Sequence, residues 1–114
     1  MRYAVVRTDG TYEFIETEGH LKLDELQRHV AAPDEDNAFV EAVGGPNLTI
    51  FLNENGKFLP LGTNEAVTEY AHEHDMIWSY DDIRGNCVIT GIPDEEGYEQ
   101  DVDQKVVEDI ISHF

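Results

Sequence analysis

Tyr3-Ala4-Val5-Val6-Arg7-Thr8-Asp9-Gly10-Thr11-Tyr12-Glu13-Phe14-Ile15-Glu16 is the stretch that sets the fold class. Its first five residues are apolar and partly β-branched, and its last five mostly alternate apolar with polar side chains. Asp-Gly between two such runs predicts a β-hairpin, because glycine takes the positive φ of a tight turn without a side-chain clash. Working outward, Leu23, Leu26 and Val30 stand at i, i+3 and i+7 and predict a short amphipathic helix over 23–30. Pro33 and the charged run Asp34-Glu35-Asp36 end it.

Residues 38–43 predict the next strand, Gly44-Gly45-Pro46-Asn47 a turn, and Leu48-Thr49-Ile50-Phe51-Leu52 a strand apolar enough to be covered on both faces. Asn53-Glu54-Asn55-Gly56 predicts a second hairpin, with Lys57-Phe58-Leu59 returning and Pro60 ending the strand. A helix follows over 64–74, with Val67, Tyr70, Ala71 and His74 on one stripe and Thr63 or Asn64 as its cap. Residues 76–83 fit no single period. Residues 85–91 predict a buried strand bounded by glycines. Asp101 to Gln104 has the spacing of a capping box, ahead of a last helix through Val106, Val107, Ile110 and Ile111. The order ββαβββαβα predicts an α+β fold: a small mixed or antiparallel sheet built from hairpins, with two to three helices, in one domain over 1–114.

Composition narrows the partners. The chain carries 25 Asp and Glu against 7 Lys and Arg, a formal net charge of -18 on 114 residues. Nucleic acid is bound through Lys and Arg contacts to phosphates, so direct nucleic-acid binding is excluded, and anionic membrane surfaces are disfavoured for the same reason. The N-terminal residues lack the pattern of a signal peptide, and no apolar run is long enough to span a membrane. The single Cys87 cannot form an intramolecular disulfide, which fits a reducing cytoplasm, and a cytoplasmic location is expected.

Chemical motifs are weak. His72 and His74, with Glu73, Asp75 or Cys87 as further ligands, are the best metal candidates. On a helix, however, i and i+2 point roughly 200° apart, so one partly buried and one solvated imidazole is expected, and no metal or other cofactor. Cys87 lies within an apolar strand and reads as a core residue rather than a nucleophile. Adjacent acids such as Asp81-Asp82 follow from abundance alone. Asp34-Glu35-Asp36 and Asp94-Glu95-Glu96 lack the calcium-loop pattern. Gly44-Gly45 lacks the Lys and the helix of a phosphate loop. No catalytic residue is assigned, and the chain is expected not to be an enzyme.

The order of motifs resembles a known family. Val5-Val6-Arg7-x-Asp9-Gly10 comes first, then Leu23-x-x-Leu26-Gln27-x-x-Val30, Phe39-Val40-Glu41-x-Val43, Leu52-Asn53-Glu54-Asn55-Gly56-Lys57 and Asn64-x-x-Val67-Thr68. Gly85-x-x-Val88-Ile89-Thr90-Gly91 closes the pattern. In this order the chain resembles the domain-of-unknown-function family 3846, small and mostly phage- and plasmid-encoded proteins, over roughly residues 3 to 92. It departs from the family in having Val67 where Ala is frequent, and in an unusually acidic stretch from Asp94 onward. The resemblance implies no activity, catalytic residue or cofactor. It implies a viral or mobile-element origin and an accessory or anti-defence role.

Three uses of the charge follow. As a DNA mimic, the chain would occupy the phosphate-binding site of a DNA-binding or defence protein through electrostatic complementarity. An even spread gives about one net charge per 350 Å², against on the order of one per 100 Å² on duplex DNA. Mimicry therefore needs the charges on one face, or a homodimer that joins two acidic faces. The acids expected to form that face are Asp81, Asp82, Asp94, Glu95, Glu96, Glu99, Asp101 and Asp103. Alternatively, the excess is a halophilic adaptation serving solubility in concentrated salt. Third, an aromatic patch of Tyr70, Trp78 and Tyr80 binds a protein partner, with the acids serving solubility only.

Overall fold

The computed structural model describes residues 1–114, as five strands and three helices. In chain order these are β1 (Arg2–Val6), β2 (Tyr12–Glu16), α1 (Leu23–Val30), β3 (Val40–Gly44), β4 (Thr49–Asn53), α2 (Glu65–Glu73), β5 (Cys87–Thr90) and α3 (Gln104–Ser112). The fold is α+β. All strand neighbours are antiparallel, in the order β2-β1-β5-β4-β3.

The hairpin at the start forms as expected. Val6 pairs with Tyr12, Arg7 N donates to Thr11 O at 2.9 Å, and Gly10 sits at φ +83°. Asp9 Oδ1 accepts from both the amide and the hydroxyl of Thr11, at 2.9 and 2.6 Å. A side chain at Gly10 would also strike the Phe114 ring, its Cβ coming within 2.6 Å.

Helices cover both faces of the sheet. On one side Tyr3, Val5, Phe51 and Val88 pack with Leu26 and Val30 of α1. On the other, Ala4, Val6, Ile50, Leu52, Cys87 and Ile89 pack with Val67, Tyr70 and Ala71 of α2 and with Val107 and Ile110 of α3. Successive strand residues point to opposite faces. The inner strands β1, β4 and β5 therefore read as unbroken apolar runs because each face has its own helical layer.

Three sequence expectations are corrected. Residues 57–59 do not return as a strand; Gly56–Phe58 forms a single 3₁₀ turn. The reason is topological: β4 already pairs with β3 on one side and β5 on the other, so no edge is left for a third neighbour. The third strand begins at Val40 rather than residue 38, since Ala38 is buried under α1 and Phe39 is exposed. Finally, α3 is capped by Asp103, whose Oδ1 accepts from Lys105 N at 2.9 Å. Asp101 instead accepts from Arg2 N at 3.0 Å, and Gln104 donates to Glu108.

Candidate functional site

The segment from Asp75 to Arg84, which fits no single period, is an ordered loop pinned along its length. At its start Met76 N donates to Ala71 O at 2.8 Å, and Asp75 adopts φ +54° to leave the helix. At its end Ile83 is buried: its amide donates to Thr68 Oγ1 at 3.0 Å, and its carbonyl accepts from Asn64 N at 2.8 Å. Between these anchors His72 Nε2 lies 2.7 Å from Asp81 O. Asp81 also holds Lys57 in an ion pair, and Asp82 Oδ2 accepts from Arg84 Nε at 3.1 Å and Thr63 Oγ1 at 3.2 Å.

Trp78 to Asp81 is a tight turn, closed by Asp81 N to Trp78 O at 2.9 Å. It carries Trp78 and Tyr80 into solvent, 72% and 85% exposed, with ring planes 1° apart and centroids 6.4 Å apart. Burying such rings is worth roughly 25 cal/mol per Å², so two left in water on a fixed backbone are unusual. Beside them a groove of about 610 Å³ runs toward β3, floored by Val43, Met76 and Ile77 and rimmed by Glu41, Asp75 and Asp81. No Lys or Arg lines it.

Tyr70 does not belong to this patch. It is 1% exposed, in the core beneath α2, which corrects its assignment as a surface anchor. Its ring stacks at a tilt on His74, with centroids 4.2 Å apart. Burial raises its hydroxyl pKa, and Asp109 and Glu73 add to the shift.

The eight acids expected on one face are divided by the fold. Asp81 and Asp82 precede β5 and Asp94 to Asp103 follow it, so they lie at opposite ends of that strand. Six of the eight have local structural work. Besides Asp81, Asp82, Asp101 and Asp103, Asp94 accepts from the amides of Glu96 and Tyr98 at 2.9 and 3.0 Å and so closes the turn at Gly97. Glu99 Oε2 lies 3.2 Å from Thr90 Oγ1, and burial raises its pKa. Glu95 and Glu96 are exposed and make no side-chain bond. The other acids fall on all three helices, on β2 and β3, and on the loops between.

The remaining chemical candidates separate. His72 turns to the Asp81 carbonyl and His74 to α3, where its Nε2 is 3.9 Å from Asp109 Oδ2. No group of three His, Cys, Asp or Glu side chains is arranged to hold a metal ion. Cys87 is fully buried, its thiol pKa pushed up to about 12 by desolvation, and its polar neighbours are Asn64 Nδ2 and Gly85 O. A thiol so placed has little thiolate to act as a nucleophile.

The C-terminal helix adds a pH-sensitive tie between residues 40 apart that no local pattern signals. His113 Nε2 meets Glu73 Oε2 across α2 and α3, and its Nδ1 lies 2.7 Å from Asp109 O. Its hydrogen bond to Glu73 raises the His113 pKa above 6.5 and lowers that of Glu73 below 4.5. A histidine whose pKa is raised on folding stabilises fully below its unfolded value and loses that contribution as pH rises through the folded value. Melting temperature should therefore fall slightly more between pH 6 and pH 8.5 in the natural chain than in His113→Gln. Equal slopes in the two proteins would show that the tie does not form in solution.

Comparison with known proteins fits this outline. The family model described as Domain of unknown function (DUF3846) matches residues 1–114, the whole chain. The chain belongs to the DUF3846 family. The match extends beyond residue 92, so the acidic C-terminal stretch lies inside the DUF3846 domain and not outside it. No curated protein and no solved structure matches the chain. No helix is long and apolar enough to cross a membrane.

Proposed function

We propose that this DUF3846 protein is a non-enzymatic accessory protein of viral or mobile-element origin that works by binding a protein partner through the Trp78–Tyr80 face. The observation that carries this reading is the parallel, solvent-exposed ring pair on a turn pinned at both ends, beside a groove with an apolar floor and an acidic rim. Aromatic anchors next to a pocket are the features that dominate binding energy at protein interfaces. A backbone already held by Thr68, Asn64 and His72 loses little further entropy when a partner docks.

The test is affinity capture from extracts of the cells that carry the gene. Three baits are compared: the natural chain, Trp78→Ala/Tyr80→Ala, and Glu95→Gln/Glu96→Gln. Loss of a partner with the aromatic variant and retention with the charge variant is the expected outcome. The reverse pattern would move the function to the acidic loop and favour a DNA mimic.

DNA mimicry has less support. The surface of 6561 Å² carries about one net charge per 360 Å², and its acids are distributed over the whole fold. The even spread suits the alternative of salt adaptation. Only Glu13, Asp81 and Asp82 pair with a Lys or Arg, so most carboxylates have no cation to offset their charge. Raising KCl from 0.1 to 1 M shortens the screening length from about 10 to about 3 Å. The melting temperature is expected to rise over that range. A flat or falling profile would mean that self-repulsion does not limit stability and would remove salt adaptation as the use of the charge.

A further inference from the structure

The groove beside Trp78 ends on a sheet edge. β3 is the last strand on its side, with β4 as its only neighbour. Bonds from Gly45 N to Leu48 O and from Glu54 N to Phe39 O fix the phase of the ladder. Hydrogen-bonded and non-hydrogen-bonded pairs alternate in an antiparallel ladder. Glu41 and Val43 therefore direct their amides and carbonyls at β4, and Val40, Ala42 and Gly44 direct theirs outward. Free edges are usually guarded by lysines, prolines or bulges. β3 has none of these, only Glu41.

Glu41 and Val43 share the face of β3 that borders the groove, so the edge and the groove form one surface. Lys57 and Arg84 line the adjoining cavity that shares Glu41, Val43 and Asp81, but each is held by an aspartate, Asp81 and Asp82. The charges left without an ion-pair partner at the groove are Glu41 and Asp75, both negative. We propose that the outward edge of β3 takes an extended, lysine- or arginine-rich segment of a partner protein as a sixth strand of the sheet. This rests on the reading of Trp78 and Tyr80 as binding anchors, and it adds the partner's conformation and charge. Strand addition supplies main-chain hydrogen bonds, and alternate side chains of the added strand enter the groove. Apolar residues would meet Val43, Met76 and Trp78, and cations would meet Glu41 and Asp75. Charge decides against a second copy as occupant, because pairing two β3 edges brings together two chains of -18 each.

The test uses the full chain labelled with ¹⁵N and two synthetic peptides, acetyl-Lys-Thr-Val-Thr-Lys-Thr-Phe-Thr-Lys-amide, whose Lys, Val and Phe side chains share one face of an extended strand, and the same peptide with Glu for Lys. The Lys peptide is expected to bind at least about tenfold more tightly than the Glu peptide and to weaken between 0.1 and 1 M KCl. It should slow amide exchange at Val40, Ala42 and Gly44 and shift the indole signal of Trp78. Ala42→Pro removes an outward N–H and leaves the bonds to β4 in place, so it should weaken the Lys peptide at least about tenfold. If that variant melts early, the exchange data on the natural chain decide alone.

Binding of the Lys peptide without protection at Ala42 and Gly44, or with full strength in a folded Ala42→Pro, overturns strand addition. Failure of both peptides to bind overturns it too. So does a dimer in sedimentation that Ala42→Pro abolishes, since a second copy is then the occupant. Partner capture that survives Ala42→Pro and is lost in Trp78→Ala/Tyr80→Ala would overturn this inference and leave the aromatic anchors standing.

Discussion

Asn64→Ala is expected to lower stability by roughly 3 kcal/mol. Asn64 is completely buried where three elements meet. Its Oδ1 accepts from Val67 N at 3.3 Å and caps α2. Its Nδ2 donates to Val6 O at the end of β1 and to Gly85 O ahead of β5, both at 3.0 Å. Losing the cap costs about 1 kcal/mol, and removing the donor from each buried carbonyl costs about 1 kcal/mol more. Native stabilities are only about 5–15 kcal/mol, so the loss is a large fraction. Urea unfolding measures it: the midpoint should fall with the slope unchanged. A loss below about 1 kcal/mol would mean that the surrounding backbone holds β1, α2 and the 83–85 segment together without this side chain.

The same residue also fixes the loop carrying the aromatic pair, through its backbone amide rather than the side chain that Asn64→Ala removes. The Asn64 amide holds Ile83, and Thr68 of the same helix holds Ile83 from the other side. The display of Trp78 and Tyr80 thus depends on a buried polar hub some fifteen residues away in sequence.

Much of this architecture was legible in the sequence, and the misses have physical causes. The β1–β2 hairpin, the helix over 23–30 and the double-faced strand at 48–52 came from local signals: turn chemistry, helical spacing and unbroken apolar runs. The Asn55-Gly56 hairpin failed because a strand needs an unpaired neighbour, and sheet order is not a local property. Gly56 instead packs against Arg84, where a Cβ would come within 3.3 Å of its carbonyl oxygen. The alternation of Met76, Trp78 and Tyr80 looks like a strand face. Its backbone bonds go to α2 instead, through Ala71, His72 and Thr68. Tyr70 was misplaced because its spacing fits a helical stripe without saying which way the stripe faces. The free side of β3 could not be read at all, since it depends on which strands occupy the middle of the sheet. The acids misled most directly: Asp94 shapes a turn, Asp103 caps α3 and Asp101 ties down the start of β1 at Arg2 N, and counting charge does not separate such roles from a binding face.

Trp78→Ala/Tyr80→Ala is the second large effect, and it should fall on binding alone. Both rings project into solvent, and each aromatic that anchors an interface costs about 2 kcal/mol or more when truncated. At 1.4 kcal/mol per tenfold, about 4 kcal/mol for the pair amounts to a loss on the order of 1000-fold. Stability should scarcely move, because neither ring belongs to either core cluster.

The most direct test is calorimetric titration of the captured partner against the natural chain and the Trp78→Ala/Tyr80→Ala variant, with both melting curves recorded alongside. An affinity loss on the order of 1000-fold at an unchanged melting temperature is the expected result. Equal affinities for two equally stable proteins would contradict the assignment of this face as the binding surface.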